Sequence, residues 1–212
     1  MKTFALTIPE NRVILNQITW ETFKQLLEEL GNKRSSRLAY NQGILEIMTP
    51  LGEHEHSKCF IDILVRQISI ELDLNIKAMG SLTLKKEMSK KGVEPDACYY
   101  LKNEPLVRHK QDITLDVDPA PDLVLEIDMS NNSLNKLPIY AALGVAEIWR
   151  YDGSDLISLI LNNDSQDYEK SNYSSVFPWL ELSQLLPFLQ QSLKDGETKT
   201  LQDFRQWVRN FS

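Results

Sequence analysis

Two carboxylates set in apolar sequence carry the clearest chemical signal: Asp96 in EPDACYYL and Glu126 in PDLVLEI. Pro95 disfavours a helix, so Asp96 stands at the start of a strand continued by Ala97, Cys98, Tyr99 and Tyr100. Glu126 lies in a run of Leu and Val that reads as a buried strand. An ionised carboxylate there is costly unless a cation or hydrogen-bond donors compensate it. A hard divalent ion does so, because Mg²⁺ takes carboxylate oxygens and keeps waters that a phosphate oxygen can displace. Such an ion polarises a phosphoryl group and activates water. Lys136, about two helical turns before Gly144 and on one helix face with Tyr140, is the candidate to position that water or take its proton. It would also stabilise charge in a phosphorane-like transition state. Plainer readings stand beside these: Asp96 could cap a turn after proline, Glu126 could pair with Arg150, and Lys136 could be a solvated surface lysine. Asp122 reads as a strand-entry cap.

Upstream, Glu53, His54, Glu55 and His56 form an EHEH cluster at the first turn of a long helical pattern. Zinc-binding helical histidines stand at i and i+4, whereas these two are two apart and diverge. The glutamates suit the positive end of a helix dipole. His54 could still approach the carboxylates, and Glu46 in ILEIM is a further candidate acidic neighbour.

The elements that must position these groups follow from periodicity. Residues 20–30 repeat Trp20, Phe23, Leu26, Leu27 and Leu30 at helical spacing, capped by Thr19 and closed by Gly31. SRLAYN and ILEIMT read as a hairpin turning at Gln42-Gly43. Residues 54–73 form the clearest helix, expected to pack across a sheet. NIKAM, SLTLKK, EPDACYYL, PDLVLEID, VAEIWRYD and LISLIL are the expected strands of that sheet, with SLNKLPIYAALG as a short helix ended by Gly144 and forming a crossover. Two tail helices are expected, at 181–192 and 199–211. The reading is an α/β (α+β) fold in which a central mixed β-sheet is flanked by helices. One domain spans 1–212, with a core at about 20–160 and a C-terminal helical extension at about 180–212.

With 42% hydrophobic and 25% charged residues, the composition excludes disordered and fibrous classes. No apolar run approaches the roughly 20 residues that span a bilayer, and MKTFALTIPENRVIL lacks the shape of a cleaved leader. A cytoplasmic protein is therefore expected. Cys59 and Cys98 have no metal-ligand spacing and read as reduced core residues. A net charge of -7 argues against coating nucleic acid by bulk attraction, although a groove can be locally basic on an acidic protein.

The ordered motifs GxLEIMxPxxEHE, GxEPDxxYY, PDLVLEI, NKLPIY and GVxEIWRYD over roughly residues 20–160 resemble the Uma-type putative restriction endonuclease family of the PD-(D/E)XK nuclease superfamily. The resemblance implies a restriction-endonuclease-like core and metal-dependent endonuclease activity that hydrolyses DNA phosphodiester bonds with Mg²⁺ or Mn²⁺. It makes Asp96 and Glu126 metal ligands. The superfamily's usual lysine, two residues after the second acid, is replaced here by Asp128, and Lys136 matches a substituting lysine on the next helix. His54 matches a recurrent family histidine. A catalytically inactive nuclease-fold module that binds nucleic acid or protein is the alternative, and an interaction or dimerisation domain a third. DNA is the expected substrate and no membrane is expected as a partner. A homodimer would suit cleavage of both strands of a duplex, although Trp179 and Trp207 read first as completing the monomer core.

Overall fold

Local sequence first sets the small elements. The computed structural model describes residues 11–31, 34–50, 52–129 and 134–211. The segment before Asn11, read from sequence as lacking the shape of a cleaved leader, and the start of SLNKLPIYAALG at Ser133 lie outside the described residues. Helix α1 (Trp20–Leu30) starts where Thr19 Oγ1 accepts the Thr22 N–H at 3.1 Å, and it ends at Gly31, whose N–H reaches the Leu27 carbonyl. Strands β2 (Arg37–Asn41) and β3 (Ile44–Thr49) form the expected hairpin. Gln42 and Gly43 both have positive φ, at 45° and 100°, the geometry that two-residue hairpin loops require.

The described residues build two sheets. The first joins β1 (Asn11–Leu15), β2, β3, β5 (Leu84–Lys86) and β6 (Lys91–Val93), all antiparallel, in the order β1-β3-β2-β6-β5. The second contains β4 (Lys77–Gly80), β7 (Ala97–Tyr100), β8 (Leu123–Ile127), β9 (Glu147–Tyr151), β10 (Leu156–Asn162) and β11 (Asp167–Ser171), in the order β11-β10-β9-β8-β7-β4. Among the described residues only β8 and β9 are parallel; a short α3 (Glu104–Val107) follows β7, and α4 (Leu137–Leu143) lies between β8 and β9 in sequence. The mixed sheet is therefore as expected. SLTLKK is not part of it, because β5 folds back on β6 in the first sheet rather than joining β4.

Helix α2 (Gly52–Glu71) lies across the mixed sheet. Phe60, Ile61, Leu64, Val65 and Ile68 are fully buried against Tyr99, Leu123 and Leu125. Burying a side chain of this size is worth about 1.5–3 kcal/mol. Alternation along β8 sends Leu123, Leu125 and Ile127 to this core and Val124 to the opposite one, which also holds Cys98, Ile139, Tyr140 and Ile148. The tail forms α5 (Leu186–Asp195) and α6 (Glu197–Val208), and Leu189, Phe204 and Val208 complete the α2 core. Cys98 is buried as expected, but Cys59 is exposed, because α2 turns it away from the sheet. Among the described residues no helix is long and apolar enough to cross a membrane.

Candidate active site

Asp96 sits where the chain leaves one sheet for the other. Only Glu94, Pro95 and Asp96 separate β6 from β7, and Glu94 is still tied to the first sheet through the Leu38 carbonyl. The antiparallel register pairs Ala97 with Leu125, so one step further along sets Asp96 opposite Glu126. Asp96 is 1% exposed. Its Oδ2 accepts the Ile127 N–H at 2.8 Å and lies 3.3 Å from His54 Nε2. His54 is itself buried in the first turn of α2, while His56 points elsewhere, stacked on Phe60 and 3.7 Å from Glu197. The two histidines diverge as their spacing requires. Glu53 contributes a backbone position to α2, and nothing is described of its side chain.

Glu126 emerges from β8 toward α4. Its Oε2 accepts from Lys136 Nζ at 2.7 Å and its Oε1 from the Tyr140 hydroxyl. Lys136 is not within the helix, as expected from sequence, but at the N-cap position ahead of Leu137. Pro138, in the first turn, gives up no needed hydrogen bond. Gly144, in the left-handed region at φ 84°, closes α4 by donating to the Tyr140 and Ala141 carbonyls. Lys136 and Tyr140 thus converge on one carboxylate from the start and the first turn of the same short helix. Arg150, the register partner of Glu126 on β9, does not take that place.

Burial dominates the electrostatics. It pushes the Asp96 carboxyl up, but the hydrogen bond and charge of His54, the Lys136 ammonium and the Ile127 N–H outweigh it and hold Asp96 below its usual range. Glu126 is raised, because burial and the Asp96 charge together exceed the pull of Lys136 and Tyr140. Lys136 is raised despite burial, by Glu126, Asp96 and Glu46, so it remains an ammonium. Burial and the Glu126 charge push Tyr140 well up, and it stays a hydroxyl donor.

Glu126, Lys136 and Tyr140 open onto a pocket of about 460 Å³ that is also lined by Arg12, Asp128, Leu134 and Arg150. Arg12 bridges Glu46 at 3.1 Å and Asp128 at 3.4 Å, and Glu46 accepts the Leu134 N–H at 2.7 Å. Asp128, at the position where a lysine was sought, therefore binds Arg12. Nothing in the sequence singled out Arg12, since its partners lie 34 and 116 residues away. Asp122 is spent on the fold, accepting from the Leu101 and Asn103 N–H groups and from the Asn103 amide.

The family model of the Uma2 putative restriction endonucleases matches residues 20–194. The chain belongs to the Uma2 family. No curated protein matches it. Among solved structures it is similar to a putative nuclease belonging to DUF820 from Anabaena variabilis, at 15% identity and a TM-score of 0.55, with 90% of this chain and 99% of that one covered. At that identity the likeness is one of fold. Asp96, Glu126, Lys136 and His54 all fall within the Uma2 match, whereas Arg12 lies before it.

A divalent ion fits this Uma2 site on one observation in particular. Asp96 Oδ1 is a buried carboxylate oxygen without a hydrogen-bond partner among the described residues. Burial has stripped it of water without supplying a donor, which is where a hard cation gains most. Among the described residues no group of three or more His, Cys, Asp and Glu converges as a metal cage. Two carboxylates with the remaining positions left to water suit Mg²⁺, whereas a structural zinc site needs a full protein set.

Proposed function

We propose that this protein is a metal-dependent endonuclease that hydrolyses phosphodiester bonds in DNA. Asp96 and Glu126 hold Mg²⁺ or Mn²⁺, and Lys136 and His54 complete the site. The observation that carries this reading is the convergence of a buried acid pair and a buried ammonium beside a pocket of about 460 Å³, in a chain of the Uma2 family. When bound, the ion supplies Lewis-acid polarisation of the phosphoryl group and a more acidic water. Lys136, held as an ammonium, stabilises charge growing on the phosphoryl oxygens and orients the attacking water. It is not the proton acceptor. His54 and the Ile127 N–H fix the rotamer of Asp96, leaving Oδ1 for the ion. Tyr140 orients Glu126 in the same way. In the reaction a water oxygen bonds to phosphorus and gives up one proton to solvent, the bond to the leaving oxygen breaks, and a proton passes to that oxygen from solvent.

The alternative is a nuclease-fold binding module without turnover. It draws support from Glu126, both of whose oxygens are engaged by Lys136 and Tyr140. Calorimetric titration of Mg²⁺ and Mn²⁺ into wild type and Glu126→Gln, followed by assay on linear and supercoiled DNA, separates the two. Binding and cleavage by the wild type alone establish the nuclease. Metal binding with no cleavage leaves the module, and an absence of metal binding removes the proposed site.

A further inference from the structure

One hairpin of this acidic chain carries a local excess of positive charge. Strands β5 and β6, with the turn between them, carry Lys85, Lys86, Lys90 and Lys91 against a single glutamate, in a protein of net charge -7. That glutamate, Glu87, is already engaged by α1, accepting from Trp20 Nε1 at 2.9 Å and from Lys24 Nζ at 3.1 Å. The rest of the hairpin is left cationic. Lys86 and Lys91 are register partners, and like charges opposite one another on paired strands cost stability that an external polyanion would restore. Lys85 and Lys90 are exposed, and Met88, between the two lysine pairs, is 93% exposed.

The hairpin is also tied to the candidate active site. Lys91 Nζ donates to the Pro138 carbonyl at 2.9 Å, in the first turn of α4, next to the Lys136 and Leu137 that line the pocket. β5 is an edge strand, and edge lysines commonly serve only to block strand addition. That role accounts for Lys85 and Lys86. It does not account for Lys90 in the turn, for an exposed methionine at the tip, or for a position beside the catalytic helix.

We propose that the β5–β6 hairpin is the surface that grips the backbone of a nucleic-acid duplex, with Lys85 and Lys86, on opposite faces of β5, and Lys90 in the turn meeting phosphates on either side of the hairpin and Met88 making an apolar contact in the groove. The inference rests on the nuclease reading above and adds to it the element that brings the substrate to the pocket. An acidic protein repels a polyanion at long range, so its grip has to be local and cationic. Lysines act as point charges on phosphate, and methionine is among the side chains that proteins press against base steps.

The test is fluorescence anisotropy of a labelled duplex of about 30 base pairs across a salt series, long enough to cover several phosphate contacts. It is run on the full chain and on a Lys85→Ala/Lys86→Ala/Lys90→Ala variant. Each phosphate contact contributes about 0.9 to the slope of log K against log salt, so the triple variant should lose about 2–3 of slope and bind at least tenfold more weakly at low salt. Met88→Ser should weaken binding with the slope unchanged. A control variant, Lys102→Ala/Lys170→Ala/Lys194→Ala, removes equal charge from elsewhere and should keep the wild-type slope. Turnover of bis(p-nitrophenyl) phosphate, too small to reach the hairpin, should be the same in all of them, which also reports folding. If the wild type cleaves DNA while the hairpin variant keeps its affinity and slope, the hairpin proposal falls and the nuclease reading stands. If the wild type neither binds nor cleaves duplex, both fall. Binding to anionic phospholipid vesicles in place of duplex would overturn the proposal in favour of a membrane.

Discussion

Replacing Lys136 with methionine while Glu126 remains should be the most damaging single change at the site. The pair is 2.7 Å apart, with side chains 13% and 8% exposed, and removing one partner of a buried pair costs about 3–5 kcal/mol because the other charge is left uncompensated. Tyr140 still donates to Glu126, and burial already favours protonation of that carboxyl, so the expected cost is at the low end, about 3 kcal/mol. In a domain of this size Tm falls by roughly 2–4 °C per kcal/mol, which makes about 6–12 °C. Glu126→Gln keeps the shape and the acceptor for Tyr140, and the Lys136 ammonium it leaves behind still feels the Asp96 and Glu46 charges, so it should cost about 1–2 kcal/mol. The double variant removes both charges and should cost no more than Glu126→Gln alone, a coupling of about 3 kcal/mol. Urea unfolding in EDTA, followed by tryptophan fluorescence, measures all three. Costs that add to within about 0.5 kcal/mol would refute the claim that these residues act as one unit. Mg²⁺ at a hundredfold excess over Kd should then stabilise Lys136→Met by about 2.7 kcal/mol relative to the same variant in EDTA, without restoring cleavage.

Other outcomes follow from neighbouring geometry. Tyr140→Phe leaves one buried Glu126 oxygen without its donor and should cost about 1–3 kcal/mol, read by the same unfolding assay, with cleavage reduced but not abolished. Gly92→Ala would place a Cβ 2.7 Å and 2.8 Å from two ring carbons of Phe23. Phe23 is fully buried, so overpacking should cost about 1–3 kcal/mol and lower Tm. Glu71 titrates below its usual 4.5 in the folded chain because Arg209 and Arg205 hydrogen-bond to it. A depressed folded pKa stabilises the protein above pH 4.5, and that contribution is lost as pH falls through the lowered value. Glu71→Gln should therefore lower stability at neutral pH and flatten the acid limb of unfolding midpoint against pH.

The site was legible in sequence where its logic is local. Glu126 stands out because a carboxylate interrupts a run that alternation and apolarity mark as buried, and the structure puts it in one. The Gln42-Gly43 hairpin, the Thr19 cap and the Gly144 stop were readable for the same reason, since each depends on a few adjacent residues and their φ. Long-range closure was not readable. Whether β5 joins β4 or folds back on β6 depends on which apolar face finds a partner, and both pairings satisfy the local pattern of SLTLKK. The Arg12 bridge to Glu46 and Asp128, and the approach of His54 to Asp96, join segments brought together only when the two sheets and α2 close on one another. Cys59 shows the same division, because helical periodicity places it within α2 but only the packing direction of that helix decides that it faces solvent. The sequence by itself thus determined which residues have chemistry to do and which elements carry them. Tertiary structure decided which of them meet, because burial selects among pairings that local propensity leaves equal.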